Sequence, residues 1–295
     1  GPFGITFPRR PSGRFSDGRV LTDFLAEFLG VKSPIPYSWR KLAPQKAKDG
    51  VNFAFGGTGV LNTTATIKVG LPNMTQQIDL FQQILSGNDV VQVDTRLTDA
   101  VAYVSLVGND YNTYLSSGGS IQGLPSFITK VVNQLAVNLE RILNLGFRRI
   151  IVTGLQPIGC VPQLTASDSF KQCNSTFNSA VQFHNQLLAQ AVATLNNQTS
   201  ETPIHILDLY NSFFSSFQEK DTYTGRSRFE TPLIPCCFGI DANSNCGDVD
   251  EDGNKLYTLC DDRSAAFFWD SYHPTQAGWE VVYPKLRATL LQALH

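Results

Sequence analysis

Apolar positions along the chain follow two rhythms. In Val20–Leu29 (VLTDFLAEFL), Met74–Ser86, Leu124–Leu145, Phe170–Leu195 and Thr275–Leu291 they recur at helical spacing, which predicts amphipathic helices. Gly30 and Gly146 follow the first and third of these, where a residue free to adopt positive φ ends a helix. In Val51–Phe55, Ala100–Val107 (AVAYVSLV), Arg149–Thr153 and Ile204–Leu207 (IHIL) the apolar residues run together, too short for core helices, which predicts buried strands. Asp208–Phe217 reads as a short helix after the last of them. Strands alternating with long helices predict βαβ units, and so an α/β fold of three layers with a mostly parallel sheet. No repeat, low-complexity tract or linker divides the sequence, so a single domain over residues 1–295 is expected. The irregular, cysteine-bearing stretch Asp221–Asp262 exceeds an ordinary loop and is expected to be a stapled functional excursion.

Composition narrows the class. With 295 residues the chain can bury a sizeable core. Charged residues make up 16% and the formal net charge is −2, which excludes the electrostatic footprint of a nucleic-acid binder. No run reaches the roughly 20 apolar residues of a membrane span, so stable membrane insertion is not expected. Six cysteines stand at 160, 173, 236, 237, 246 and 260. The last four are adjacent, then separated by eight, then by thirteen intervening residues, which is poor zinc spacing and favours disulfides. Cys160 and Cys173 would close a short loop, while the neighbours Cys236 and Cys237 take different partners from Cys246 and Cys260 in an order the sequence leaves open. N-x-[ST] sequons at Asn62, Asn73, Asn174 and Asn197 complete the picture of a secreted, N-glycosylated protein. Gly1–Phe7 (GPFGITF) has neither the basic nor the apolar region of a signal peptide.

Chemistry is sought where parallel strands end at their carboxyl edge. Three marked loops follow strands there: Gly56–Gly59, Gly108–Asp110 and Gln156–Gly159. A fourth candidate, Trp269–Pro274 (WDSYHP), precedes the closing helix. Asp270 and His273 lie three residues apart on it, so the carboxylate can reach the imidazole Nδ1–H and leave Nε2 free as a general base. The same residues also suit a plain turn, with Asp270 as its cap. Of the other histidines, His184 falls within a helix, His205 within an apolar strand, and His295 ends the chain. Asn109 follows the strand in Val-Gly-Asn-Asp, where its amide could donate to a developing oxyanion, although Asn-Asp is also a common turn former. Gly57 could bring a backbone N–H to the same anion, or simply make a tight turn. Neither a dinucleotide fingerprint nor a phosphate-binding G-K-[ST] accompanies this glycine loop.

Five stretches taken together resemble the plant-type GDSL esterase/lipases of the SGNH hydrolase superfamily. They are Gly4–Gly30 (GITFPRRPSGRFSDGRVLTDFLAEFLG), Gly50–Leu61 (GVNFAFGGTGVL), Val104–Tyr111 (VSLVGNDY), Gly146–Pro162 (GFRRIIVTGLQPIGCVP) and Phe268–Gly278 (FWDSYHPTQAG), in the family's order. The resemblance implies a flavodoxin-like α/β/α domain that hydrolyses carboxylic esters through a serine acyl-enzyme, with no metal or organic cofactor. It makes Gly57 (with Gly56 as a rival) and Asn109 oxyanion donors, and Asp270 and His273 the catalytic acid–base pair. The family's first block, which carries the nucleophilic serine after the first strand, is expected upstream of Gly4. No G-x-S-x-G elbow replaces it, and Ser16, Ser105 and Ser271 lack a strand-to-helix context. A first strand and its serine are therefore expected to be missing from these residues. The substrate expected is a small-molecule, glycan or lipid ester, leaning to acetyl groups on cell-wall glycan because no long amphipathic lid is evident. Lipid ester hydrolysis, acyl transfer to an alcohol, and a non-catalytic glycan- or lipid-binding member remain the alternatives.

Overall fold

The computed structural model describes residues 1–87, 89, 97–105, 108–220, 225–241 and 243–294. In chain order they form α1 (Leu21–Phe28), β1 (Ile35–Pro36), β2 (Val51–Asn52), α2 (Thr64–Val69), α3 (Met74–Leu85), β3 (Val101–Val104), α4 (Asn109–Ser116), α5 (Leu124–Asn144), β4 (Arg149–Thr153), α6 (Pro162–Thr165), α7 (Ser175–Asn196), β5 (Ile204–Leu207), α8 (Leu209–Phe217), β6 (Cys237–Gly239), β7 (Tyr257–Leu259) and α9 (Gln276–Leu294). The α/β class with mostly parallel pairing, expected from the alternating rhythms, is the observed one.

These elements fall into two compact units. The first comprises Gly1–Gly30, Pro157–Ser179 and Leu209–Arg287; the second comprises Val31–Gln156, Ala180–Asp208 and Ala288–His295. The second unit holds the parallel sheet β3-β4-β5, with Val101 opposite Arg149 and Ile150 opposite Ile204. Ile150, Ile151 and Val152 of the middle strand are wholly buried, as are Leu135 and Leu139 of α5. An uninterrupted apolar strand fits a position flanked on both edges and covered on its faces. β3 pairs with β4 on one edge, and among the described residues no strand pairs with its other edge. A separate two-residue parallel pair joins β1 to β2.

The first unit contains the antiparallel pair β6-β7 and a core that includes Phe213, Phe267, Phe268 and Trp269, all fully buried. All six cysteines are paired there, as Cys160–Cys173, Cys236–Cys260 and Cys237–Cys246. The expected short loop is present, and the order left open among the other four is resolved.

Where elements depart from the rhythm, local bonds explain it. β2 stops at Asn52 because its side-chain oxygen accepts from Ala54 N–H at 2.8 Å, turning the chain. α7 begins at Ser175 rather than Phe170, since Ser169 and Phe170 have φ of 53° and 59° and Cys173 is tied to Cys160. The short helices α2 and α4 lack a clear apolar stripe, and α4 is entered through Gly108 at φ 86°. Leu106 and Val107 of the expected strand, Asp221 at the start of the irregular stretch, and His295 lie outside the described residues.

Candidate active site

The turn before α9 is fixed by its own carboxylate. Oδ1 of Asp270 accepts the backbone N–H groups of Tyr272 and His273, each at 2.9 Å. Both carboxylate oxygens also lie 2.9 Å from His273 Nδ1. The turn-capping and imidazole-orienting roles, alternatives on sequence grounds, thus coexist in one side chain. Asp270 is buried, whereas His273 is partly open to solvent. An imidazole whose Nδ1 faces a carboxylate keeps its proton there, so Nε2 is the lone-pair nitrogen and can accept a proton.

Several contacts hold this turn in place. Trp269 N–H donates to the His273 carbonyl at 2.7 Å, and the Thr275 hydroxyl donates to the Ala266 carbonyl at 2.7 Å. From the N-terminal segment, the buried Ser16 hydroxyl donates to the Pro274 carbonyl at 3.0 Å, and Asp17 accepts from Gln276 N–H at 2.8 Å. Ser16 is thereby committed to a carbonyl rather than to the imidazole. The Ser271 carbonyl accepts from Gln163 N–H. The ring of Phe15 stacks on the His273 imidazole. Sequence reasoning missed Phe15, Ser16 and Asp17 as neighbours of this turn; the only hint was their compact R-F-S-D-G setting.

The second unit carries Gly57 and Asn109. Gly57 is exposed, at φ 82°, and a Cβ there would lie 3.0 Å from Ala65 Cβ, so the tight loop requires glycine. Its carbonyl accepts the Thr63 hydroxyl at 2.8 Å. Asn109 is the first residue of α4 rather than a loop residue, and its amide donates to the Thr58 carbonyl at 2.9 Å. One amide N–H is engaged there, leaving the second for another acceptor. Ser105, beyond β3, is hydrogen-bonded to the Tyr103 side chain. The structure therefore brings Asp270 together with His273 in one unit, and places Asn109 beside the Gly57 loop in the other.

The remaining histidines have different surroundings. His184 is buried against Tyr111, whose hydroxyl meets its Nδ1, and burial pushes its pKa down to about 4. His205 on β5 is partly exposed, with its pKa lowered chiefly by desolvation. Among the described residues, no group of three or more His, Cys, Asp or Glu is placed to hold a metal ion.

Residues 3–285 match the family model described as GDSL-like Lipase/Acylhydrolase. The chain is 51% identical over 294 residues to the GDSL esterase/lipase At5g03610 of Arabidopsis thaliana, covering 99% of this chain and 80% of that protein. It is 47% identical over 290 residues to the GDSL esterase/lipase At3g09930 of the same plant, covering 98% and 81%. A third relative, the GDSL esterase/lipase At5g03600, is 41% identical over 291 residues.

Proposed function

The chain belongs to the GDSL-like lipase/acylhydrolase family of carboxylic ester hydrolases, and from that premise we propose a secreted serine esterase working through an acyl-enzyme. The observation that carries this reading is the placement of both Asp270 oxygens 2.9 Å from His273 Nδ1.

In the proposed reaction, His273 Nε2 takes the proton of a serine hydroxyl as that oxygen attacks the ester carbonyl carbon. Asp270 holds the imidazolium that forms. The serine N–H, the Gly57 N–H and the Asn109 amide receive the oxyanion. The tetrahedral intermediate collapses, the alcohol leaves with the proton from His273, and the serine keeps the acyl group. Water then repeats the sequence, giving its proton to His273 and freeing the carboxylic acid. The serine is the one carried by the family's first block, and it acts with these residues within one hydrolase domain. No cofactor enters these steps.

A small acyl group, acetyl on a cell-wall glycan, is the proposed substrate, supported by the lack of a long amphipathic lid in the sequence. Three disulfides and four sequons support passage through the secretory pathway, with N-glycans at Asn62, Asn73, Asn174 and Asn197.

The test is p-nitrophenyl ester hydrolysis by the full-length protein and its His273→Ala variant. The variant is expected to lose activity by a factor on the order of 10³ or more. Acetate hydrolysis surviving within about twofold would remove His273 from the mechanism. Faster turnover of long-chain esters than of acetate would remove the small-acyl preference.

A further inference from the structure

We propose that Asp110 is a positioning residue that acts through its neighbour Asn109, clamping the glycine loop to α4 so that the Gly57 N–H and the Asn109 amide keep a fixed separation. The inference rests on the oxyanion roles proposed above for those two residues.

Asn109 and Asp110 are the first two residues of α4, and both reach back to the same loop. The Asn109 amide donates to the Thr58 carbonyl. Asp110 takes the two amides that follow shortly after: Val60 N–H donates to Oδ2 at 3.0 Å and Leu61 N–H donates to Oδ1 at 2.8 Å. One turn further along, the Thr113 hydroxyl accepts from Thr64 N–H at 3.2 Å. Four bonds from a single helix thus fix the loop on either side of Gly59.

Gly59 records how close that approach is. A Cβ at this position would fall 2.4 to 2.7 Å from the carboxylate carbon and both oxygens of Asp110. The last glycine of G-G-T-G is therefore required by the clamp, while Gly57 is required by its own positive φ.

The chemistry of the clamp calls for a carboxylate. Asp110 is buried, and among the described residues it forms no ion pair; its charge is met by backbone N–H groups. Burial raises its pKa, and the Leu61 and Val60 donors oppose that rise. The two amides meet different carboxylate oxygens, and an asparagine in the same pose would face one of them with its oxygen and the other with an NH2 group that cannot accept. A carboxylate kept in this setting at a desolvation cost does work that a neutral amide cannot.

The experiment is a double-mutant cycle on full-length protein, using p-nitrophenyl acetate and the variants Asn109→Ala, Asp110→Asn and the double variant. Asp110→Asn is expected to lower kcat by about 10²-fold with KM within about twofold, since misplacing a catalytic donor by about 1 Å costs that much. In the Asn109→Ala background the same change is expected to cost less than about threefold, because a residue acting through Asn109 has little left to position. Hydrogen exchange at Val60 and Leu61 is expected to accelerate. Gly59→Ala strikes the clamp from the other side and is expected to reproduce the kinetics if Asp110→Asn fails to fold. Full additivity in the cycle, or Asp110→Asn within about twofold of wild type, overturns the inference. If Asn109→Ala loses activity in either case, the ester hydrolase reading stands and the positioning role alone fails. If Asn109→Ala is itself within about twofold of wild type, the oxyanion role falls and takes the inference with it.

Discussion

The ring of Phe15 lies over the imidazole of His273, with centroids 5.0 Å apart and planes inclined by 16°. Phe15 is half exposed, so its contribution to the folded core is small, yet it covers one face of the proposed base. Phe3 packs edge-on against both Phe15 and Trp269, which links the stack to the buried ring beside Asp270. Stacked aromatic pairs contribute about 0.5–1.5 kcal/mol beyond area burial. Phe15→Ala is therefore expected to lower kcat by roughly two- to tenfold while leaving the thermal midpoint nearly unchanged. Steady-state kinetics and a melting curve on the same preparation check both halves.

Asp270→Asn separates orientation from scaffolding. The asparagine oxygen can still accept the Tyr272 and His273 backbone N–H groups that Asp270 Oδ1 now holds, so the turn is expected to survive. The side chain nevertheless loses the charge that stabilises an imidazolium and fixes the Nδ1–H tautomer. Activity is expected to fall by a factor on the order of 10³–10⁴ with circular dichroism unchanged. A loss below about tenfold would mean that Asp270 serves the turn only.

What the sequence disclosed depended on how local each interaction is. Arg149–Thr153 and Ile204–Leu207 match β4 and β5 residue for residue, since short runs dominated by β-branched apolar residues leave a strand little choice. Asp270 and His273 were legible because their pairing spans three residues. Gly57 and Asn109 stood out mainly through a family resemblance, and α4 itself was hidden because its residues are mostly polar. Asp110 looked like half of a turn dipeptide. Its partners Val60 and Leu61 lie 50 and 49 residues away, and no periodicity encodes that distance. The Ser16 bond to Pro274, 258 residues on, was out of reach for the same reason.

The disulfides bear on the same turn. Cys236 N–H donates to the Phe268 carbonyl at 3.0 Å and Cys237 N–H to the Trp269 carbonyl at 2.6 Å, immediately before Asp270. Both cysteines are bonded onward, Cys236 across 24 residues and Cys237 across 9. Loop-closure entropy assigns about 3 kcal/mol to a bridge of the longer span. Replacing Cys236 and Cys260 together by alanine is expected to lower the melting temperature by several degrees. Activity is expected to fall by more than the unfolded fraction accounts for, because the segment leading into Asp270 loses its anchor. Activity per folded molecule equal to wild type would detach the disulfide from the site.

His184 gives the fold a pH dependence of defined sign. It is buried, its Nδ1 meets the Tyr111 hydroxyl, and its Nε2 has no hydrogen-bond partner among the described residues. Burial raises the Tyr111 pKa, so the phenol keeps its proton and donates it to a neutral imidazole. Desolvation lowers the His184 pKa from 6.5 to about 4 in the folded state. The unfolded chain therefore binds this proton first as pH falls. Stability contributed by the neutral histidine is complete above pH 6.5 and is lost progressively as pH drops toward 4. Across that window the loss is on the order of 3 kcal/mol from this group. His184→Gln keeps an acceptor for Tyr111 and has no proton to gain. Urea unfolding of both proteins from pH 7 to pH 4 is expected to show a steeper decline for wild type, whereas parallel curves would assign the acid sensitivity to other groups.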